Sequence, residues 1–335
     1  MGEPSVARGS VRCGIILAGG SGRRLESYVA RLRGEALPKQ YVNFIGRRSM
    51  LEHTFARAER LIPPERLFTV ACREHLLYAE AERQLASRSR GTVIVQPENK
   101  ETAPGLLLPL MHLHARYPDA IVAVFPADHF IVEEALFMAH VDLACRAVER
   151  DPSRVVMLGI APDDPEPEYG YILPGGEWRS GMPAGLRRVA RFIEKPAPPA
   201  AREIVRRGGL WNTMVMAFRT TTLLEIARRI APALHRSFQR IGQAIGTPRE
   251  SLVVDETYRQ IGPMNFSRGL LEALSQQQPS RLSVLAVRGV FWSDWGSEER
   301  IVSALRRAGH AAQLHSLAGR EALAVDARRV CVGTC

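Results

Sequence analysis

Glycine, arginine, lysine and aspartate fall in this chain where phosphate chemistry could use them. The run Leu17-Ala18-Gly19-Gly20-Ser21-Gly22-Arg23-Arg24 follows a short apolar stretch, Cys13 to Leu17. That stretch reads as a buried strand of a parallel sheet. Glycines straight after such a strand let the backbone turn sharply and set bare N–H groups against a ligand, which suits phosphate oxygens. The two arginines add delocalised charge in a rigid fork, with Arg24 the expected contact. An ordinary strand-to-helix turn carries glycines as well. The spacing is neither that of a P-loop, which ends in Gly-Lys-Ser/Thr, nor the G-x-G-x-x-G of a dinucleotide site.

Two further residue types stand out. Of 45 basic residues only Lys39, Lys100 and Lys195 are lysines. Against so strong a preference for arginine, each surviving lysine is a candidate for a site that needs a compact ammonium. The second is Asp128, in Pro126-Ala127-Asp128-His129, just past the apolar run Ala120 to Phe125. A carboxylate beyond the C-terminal end of a central parallel strand stands where ligands of open α/β sheets bind, and it can hold a metal. The alternative for Asp128 is a simple turn residue; His129 is expected to be structural. The motifs contain no Ser-His-Asp or Cys-His set for covalent catalysis.

The elements that must position these residues alternate from the start, which argues for βα units and a mostly parallel sheet. Strands are expected at Leu67 to Ala71, Thr92 to Val95, Arg154 to Ile160 and Leu282 to Val287. Helices are expected from Glu74 to Ala86, and after Lys39 with Leu51, Phe55, Ala58 and Leu61 on one face before Pro63-Pro64. Another is expected after Thr102, as N-cap, with Pro104 in its first turn. Pro162 to Pro167 is an acidic, proline-rich crossing. Arginine-rich helices fill Thr221 to Glu272, with breaks at Pro232, Gly246 and Pro248, and Glu298 to Leu305 closes the run.

Composition narrows the class. With 335 residues, 46% hydrophobic and 24% charged, the chain can bury a sizeable core. A net charge of +10 fits either a nucleic-acid surface or polyanionic small molecules. No basic run interleaved with aromatics supports nucleic acid, so none is expected as a partner. Neither a membrane-spanning run nor a signal peptide is expected. Five scattered cysteines without zinc spacing point to reduced thiols and a cytoplasmic protein, with Cys331 and Cys335 incidental.

With Pro38-Lys39-Gln40 added, the opening run resembles the signature of the sugar-phosphate nucleotidylyltransferases. Its closest branch is mannose-1-phosphate guanylyltransferase, roughly L-A-G-G-x-G-T-R-L … P-K-Q. The resemblance recurs in Gln96 to Gly105, Pro126 to His129, Tyr169-Gly170-Tyr171-Ile172, Arg191 to Pro196, Leu210 to Thr213 and Trp292 to Gly296. Departures are Arg23 for the usual Thr, no Trp-Pro-Leu between Glu26 and Leu37, Met214 for Gly, and no acidic residue in Asn265 to Leu271.

The resemblance implies a Rossmann-like sheet flanked by helices in a domain over 11–310. Its nucleotide-binding part is about 11–160 and its sugar-phosphate part about 161–296. The tail at 311–335 is expected to hold no β-helix or cupin domain. It implies transfer of a nucleotidyl group from a triphosphate to a sugar 1-phosphate, with Mg²⁺ or another divalent cation. Arg24, Lys39 and Asp128 would be catalytic, and Leu17, Ala18, Gly19, Gly20, Gly22, Gln96 and Thr102 nucleotide-binding, Gln96 at the base edge. Gly170, Glu194, Lys195 and Asn212 would bind the sugar phosphate, and Asp128 and Asp294 the metal; an Asx turn is the alternative for Asp294. A homodimer is possible in such a family. The Pro38 to Tyr41 and Leu51 to His53 runs also resemble the shorter methylerythritol-phosphate cytidylyltransferases, and a non-catalytic nucleotide-binding protein on the same fold stays open.

Overall fold

The computed structural model describes residues 10–178, 182–277 and 280–309; the expectations for 311–335, Cys331 and Cys335 lie outside them. The strands are β1 (Arg12–Leu17), β2 (Leu67–Cys72), β3 (Val93–Gln96), β4 (Ile121–Pro126), β5 (Phe130–Ile131), β6 (Val155–Ile160), β7 (Gly170–Glu177), β8 (Leu186–Glu194), β9 (Leu210–Arg219), β10 (Leu282–Val287) and β11 (Trp292–Ser293). Nine of them form one sheet in the order β3-β2-β1-β4-β9-β6-β10-β8-β7, and β5 pairs β11 separately.

The sheet has two characters. β3, β2, β1 and β4 are all parallel, as the βα alternation requires. Beyond them the sheet is mixed: β9 runs antiparallel to both β4 and β6, and β8 and β7 are antiparallel again. β9 borders β6 along its length. Its other edge meets β4 through Met216–Arg219 and β7 through Tyr171↔Trp211 and Ile172↔Leu210. The start of β9 therefore extends past the end of β4, above the sheet edge where Asp128 emerges.

Alternate residues of each central strand face opposite apolar layers, as a pleated strand demands. Ile16, Ala123, Phe125, Val156 and Leu158 pack with helices Glu26–Arg33, Met50–Ala58 and Glu134–Arg150. Ile15, Val122, Val124, Val155 and Met157 pack with Thr102–Arg116, Thr220–Ile230 and Pro232–Ala244. β4 is buried along its whole length, and truncating Phe125 to Ala would cost about 3–5 kcal/mol. A rigid centre of this kind fixes where the loops at its edge begin.

Two local expectations are corrected. The segment from Glu74 to Ala86 is not one helix: a 3₁₀ turn, Arg73–Leu77, is separated from helix Ala79–Ala86 by Tyr78 in extended backbone. Buried His75 explains the break, since its Nδ1 faces the Tyr41 hydroxyl (3.1 Å) and the Cys72 amide rather than solvent. Thr102 is the first residue of its helix and not the cap. Its hydroxyl accepts from the Phe266 amide at 2.8 Å, tying that helix to a distant segment. Among the described residues no helix is long and apolar enough to cross a membrane, and Cys13, Cys72 and Cys145 are free, buried thiols.

Candidate active site

A cleft of about 560 Å³ opens where β1, β3 and β4 end and β9 begins. The glycine loop forms one wall, and its shape is imposed from below. The Gln40 side-chain amide, buried, donates to the carbonyls of Ala18 (2.7 Å) and Gly20 (2.9 Å). Gly22 adopts φ 65°, and a Cβ there would lie 3.1 Å from the Lys39 amide. Only glycine accommodates both the turn and the approach. Leu17, Gly19, Gly20 and Gly22 all line the cleft. Ala18 is not among the residues that line the cleft; its N–H bonds Val70 O and its carbonyl accepts from Gln40. Gln96 is buried beneath Gly19, with its amide 2.5 Å from where a Cβ would stand. It lines the cleft floor and props the loop.

Lys39 is the hub of the site. Its ammonium donates to Asp128 Oδ2 (3.0 Å) and to the carbonyls of Asp294 (2.8 Å) and Trp295 (3.1 Å). An ammonium has three protons, so all three are used within the protein. The resemblance makes Lys39 a catalytic residue; in the structure its ammonium joins the end of β4 to the 292–296 loop. Lys195 also lines the cleft, whereas Lys100 pairs with Glu98 (3.1 Å) outside it.

Asp294 sits in a nest of donors. Its carboxylate accepts from the Tyr169 hydroxyl (2.7 Å), the Gly296 amide (3.0 Å) and Arg300 (3.1 and 3.2 Å). Burial opposes its charge, but Lys39, Arg300 and the Tyr169 hydroxyl together hold its pKa below the usual carboxylate range. The Gly296 amide is the Asx-turn contact, so the turn and the cleft position coexist. Arg300 also pairs with Glu166 (3.0 Å) and lies over the Tyr169 ring at 4.5 Å. His129 is buried edge-on to Trp292, and burial pushes its pKa down to about 4, so it is a neutral group.

The opposite wall comes from the mixed half of the sheet. Glu194, Gly170 and Asn212 meet there: a Cβ on residue 170 would stand 2.5 Å from Glu194 Oε2 and 3.5 Å from the Asn212 Cβ. Glycine at 170 is therefore what leaves room for the carboxylate. Burial raises the Glu194 pKa above the ordinary glutamate range, against the attraction of Lys195 and Arg268. Two neighbours on a strand point to opposite faces, yet Glu194 and Lys195 both line the cleft. Lys195 adopts φ 49°, and this left-handed residue bends the chain before Pro196.

Several groups here carried no sequence signal. Glu168 pairs with Arg24 at 2.9 Å and with Lys195 at 3.8 Å, bringing the two expected phosphate cations to one carboxylate. Ser267, in a π-helical turn, places its hydroxyl 3.2 Å from Met214 Sδ. Among the described residues the non-glycine residues with left-handed backbone are Glu101, Lys195, Met214 and Trp295. The first three line the cleft, and the carbonyl of the fourth receives Lys39. Strain of this kind concentrates at functional sites.

The pattern of the nucleotidyl transferase family matches residues 13–309. The chain is similar to the xanthan biosynthesis protein XanB of Xanthomonas campestris, 33% identical over 227 residues, 68% of this chain and 46% of that protein. It is similar to a protein of Vibrio cholerae named putative mannose-1-phosphate guanylyltransferase, 26% identical over 84% of this chain and 58% of that one. It thus spans about half the length of the curated relatives it matches. A crystal structure described as mannose-1-phosphate geranyltransferase from Thermus thermophilus superposes with a TM-score of 0.71 at 26% identity, covering 89% of this chain and 78% of that one. The chain belongs to the nucleotidyl transferase family.

Proposed function

We propose that this nucleotidyl transferase moves a nucleotidyl group from a nucleoside triphosphate, GTP, to a sugar 1-phosphate, mannose 1-phosphate, releasing pyrophosphate. One observation carries the reading. The glycine loop with Arg24, the Asp128–Lys39 pair and the Glu194–Gly170–Asn212 group all open onto one cleft. Its volume lies within the range of small-molecule sites. The choice of GTP and mannose is supported by the names of the relatives.

The chemistry needs no protein nucleophile or base. An oxygen of the sugar phosphate, already anionic, bonds to the α-phosphorus, and the bond from that phosphorus to the bridging oxygen breaks as pyrophosphate leaves. What remains is to bring two polyanions together in line. Arg24 and the loop amides take the triphosphate, and Lys195 the sugar phosphate. Glu168, now paired with both cations, yields them to the phosphates.

Among the described residues no group of three or more His, Cys, Asp or Glu could hold a metal on protein ligands alone. Two carboxylates completed by substrate phosphates fit Mg²⁺, which keeps few protein ligands. Asp128, about one-third exposed, keeps one oxygen beyond its bond to Lys39. Asp294 fits once Arg300, which already grips Glu166, releases it. Asp128 and Asp294 would then hold the cation, which neutralises charge on the phosphate oxygens.

The test is pyrophosphate release from four nucleoside triphosphates against mannose, glucose and related 1-phosphates, with and without Mg²⁺. GTP with mannose 1-phosphate should lead. A lead for CTP with a non-sugar phosphate would turn the reading to the cytidylyl alternative, and no release from any pair would overturn it.

A further inference from the structure

We propose that Met214 sets the size of the sugar substituent that the cleft accepts, its thioether closing the wall beside Asn212 and Ser267 against groups larger than a hydroxyl. The inference rests on the sugar-phosphate reading of this half of the cleft.

Met214 lies in a bulge of β9. Gly159 of β6 pairs with Asn212 and Met157 with Met216, so Thr213, Met214 and Val215 stand against Leu158 alone. The extra residues turn the backbone, and Met214 takes φ 57°, a conformation that side-chain-bearing residues rarely adopt. The bulge supplies its own hydrogen bonds. Thr213 Oγ1 donates to Leu158 O (2.7 Å) and accepts from the Val215 amide (3.2 Å). Asn212 Oδ1 accepts from the Met214 amide (3.0 Å). None of these bonds involves the Met214 side chain, so the turn does not depend on it.

The thioether instead lines the cleft, half-buried, against the Ser267 hydroxyl. Because Asn212 Oδ1 is committed to the backbone, its NH₂ is left to donate. Asn212 and Glu194 thus offer one donor and one acceptor, the pair that a hydroxyl satisfies by accepting and donating at once. Met214 sits beside this pair with its back to the buried Ser267. A hydroxyl fits in front of it. A bulkier acetamido group meets the thioether.

The experiment compares kcat/KM for mannose 1-phosphate with that for its 2-acetamido-2-deoxy counterpart. In Met214→Gly and Met214→Ala the preference for the hydroxyl sugar should fall by about 10- to 200-fold, the span of discrimination by pocket size. Met214→Leu, which keeps the volume without the sulfur, should retain it. Scanning calorimetry reads the strained backbone separately from the wall. Met214→Gly should melt above Met214→Ala, because only glycine relieves the left-handed backbone. An unchanged preference in both truncations, or a wild-type protein that uses both sugars equally, overturns the wall. A wild-type protein that releases pyrophosphate with no sugar 1-phosphate overturns the function, and this inference with it.

Discussion

Replacing Lys39 by arginine keeps the charge and removes the geometry. The lysine ammonium sends three protons from a single atom to Asp128 Oδ2, Asp294 O and Trp295 O, all within 3.1 Å. A guanidinium is planar, longer, and spreads its donors over a fork. It cannot reach three acceptors that converge on one point without displacing at least one. The Asp128 bond counts for little in this comparison, since that carboxylate is one-third exposed and the pair is screened, at most about 1 kcal/mol. The carbonyl bonds are charge-assisted and sheltered, and losing one costs about 1.5–3 kcal/mol. For a protein of 335 residues that corresponds to a fall in Tm of about 2–4 °C. The shift also releases the 292–296 loop relative to Asp128, and a displacement of about 1 Å at a phosphoryl-transfer site can cost 10²-fold in turnover. Scanning calorimetry and pyrophosphate release on Lys39→Arg check both figures. A variant with wild-type Tm and turnover would refute the view of Lys39 as a three-way tie, whatever the rest of the chain tolerates in arginine.

On the proposed function, Glu194→Gln should weaken sugar 1-phosphate binding about tenfold or more and spare the nucleoside triphosphate. In the wild type, sugar-phosphate KM should climb as pH falls through an inflection above the ordinary glutamate range, because burial raises this pKa. The Gln variant should lack that inflection, and retaining it would assign the titration elsewhere. Arg300→Met removes a cation that keeps Asp294 ionised. Because the Asp294 pKa is depressed in the folded state, its stabilisation is present above the unfolded pKa and lost as pH falls through the lower folded value. The variant should therefore lose about 1–2 kcal/mol at neutral pH, with the deficit shrinking below about pH 4; denaturant melts at both pH values would show a constant deficit if the pair were irrelevant. Glu168→Gln frees Arg24 and Lys195 from a competing carboxylate, so inorganic pyrophosphate should inhibit a few-fold more tightly. Weaker inhibition would mean that Glu168 orients the cations for the ligand.

Much of the site was legible because the signal was local. A strand followed by Gly19, Gly20 and Gly22, or by Asp128, needs only a few residues to define its place at the edge of a parallel sheet, and the structure puts those loops there. Groups whose meaning depends on distant partners were not legible. Gln40 acts on carbonyls about twenty positions away, Arg300 on Glu166 far upstream, and Thr102 on Phe266. None of those pairings leaves a mark in residue spacing. The helix break at Tyr78 was hidden for the same reason, as buried His75 overrides a sequence of good helix formers. The left-handed backbone at Met214 and Trp295 was illegible because it contradicts local preference.

The placement of β9 has a consequence for how the chain is made. β4 finds one neighbour, β1, earlier in the sequence, but its second is β9; β6 has both of its neighbours, β9 and β10, later. As the chain emerges from the ribosome, β4 and β6 between them therefore carry three open edges until residues 210–219 are available, and β6 keeps one until residues 282–287 follow. Open edges of apolar strands invite pairing with other chains. Fragments ending before β9 should accordingly aggregate rather than fold, and the segment up to β6 is not a module that can be cut out and kept. The strand that joins the two walls of the cleft is also the one whose late arrival decides whether the nascent protein stays in solution.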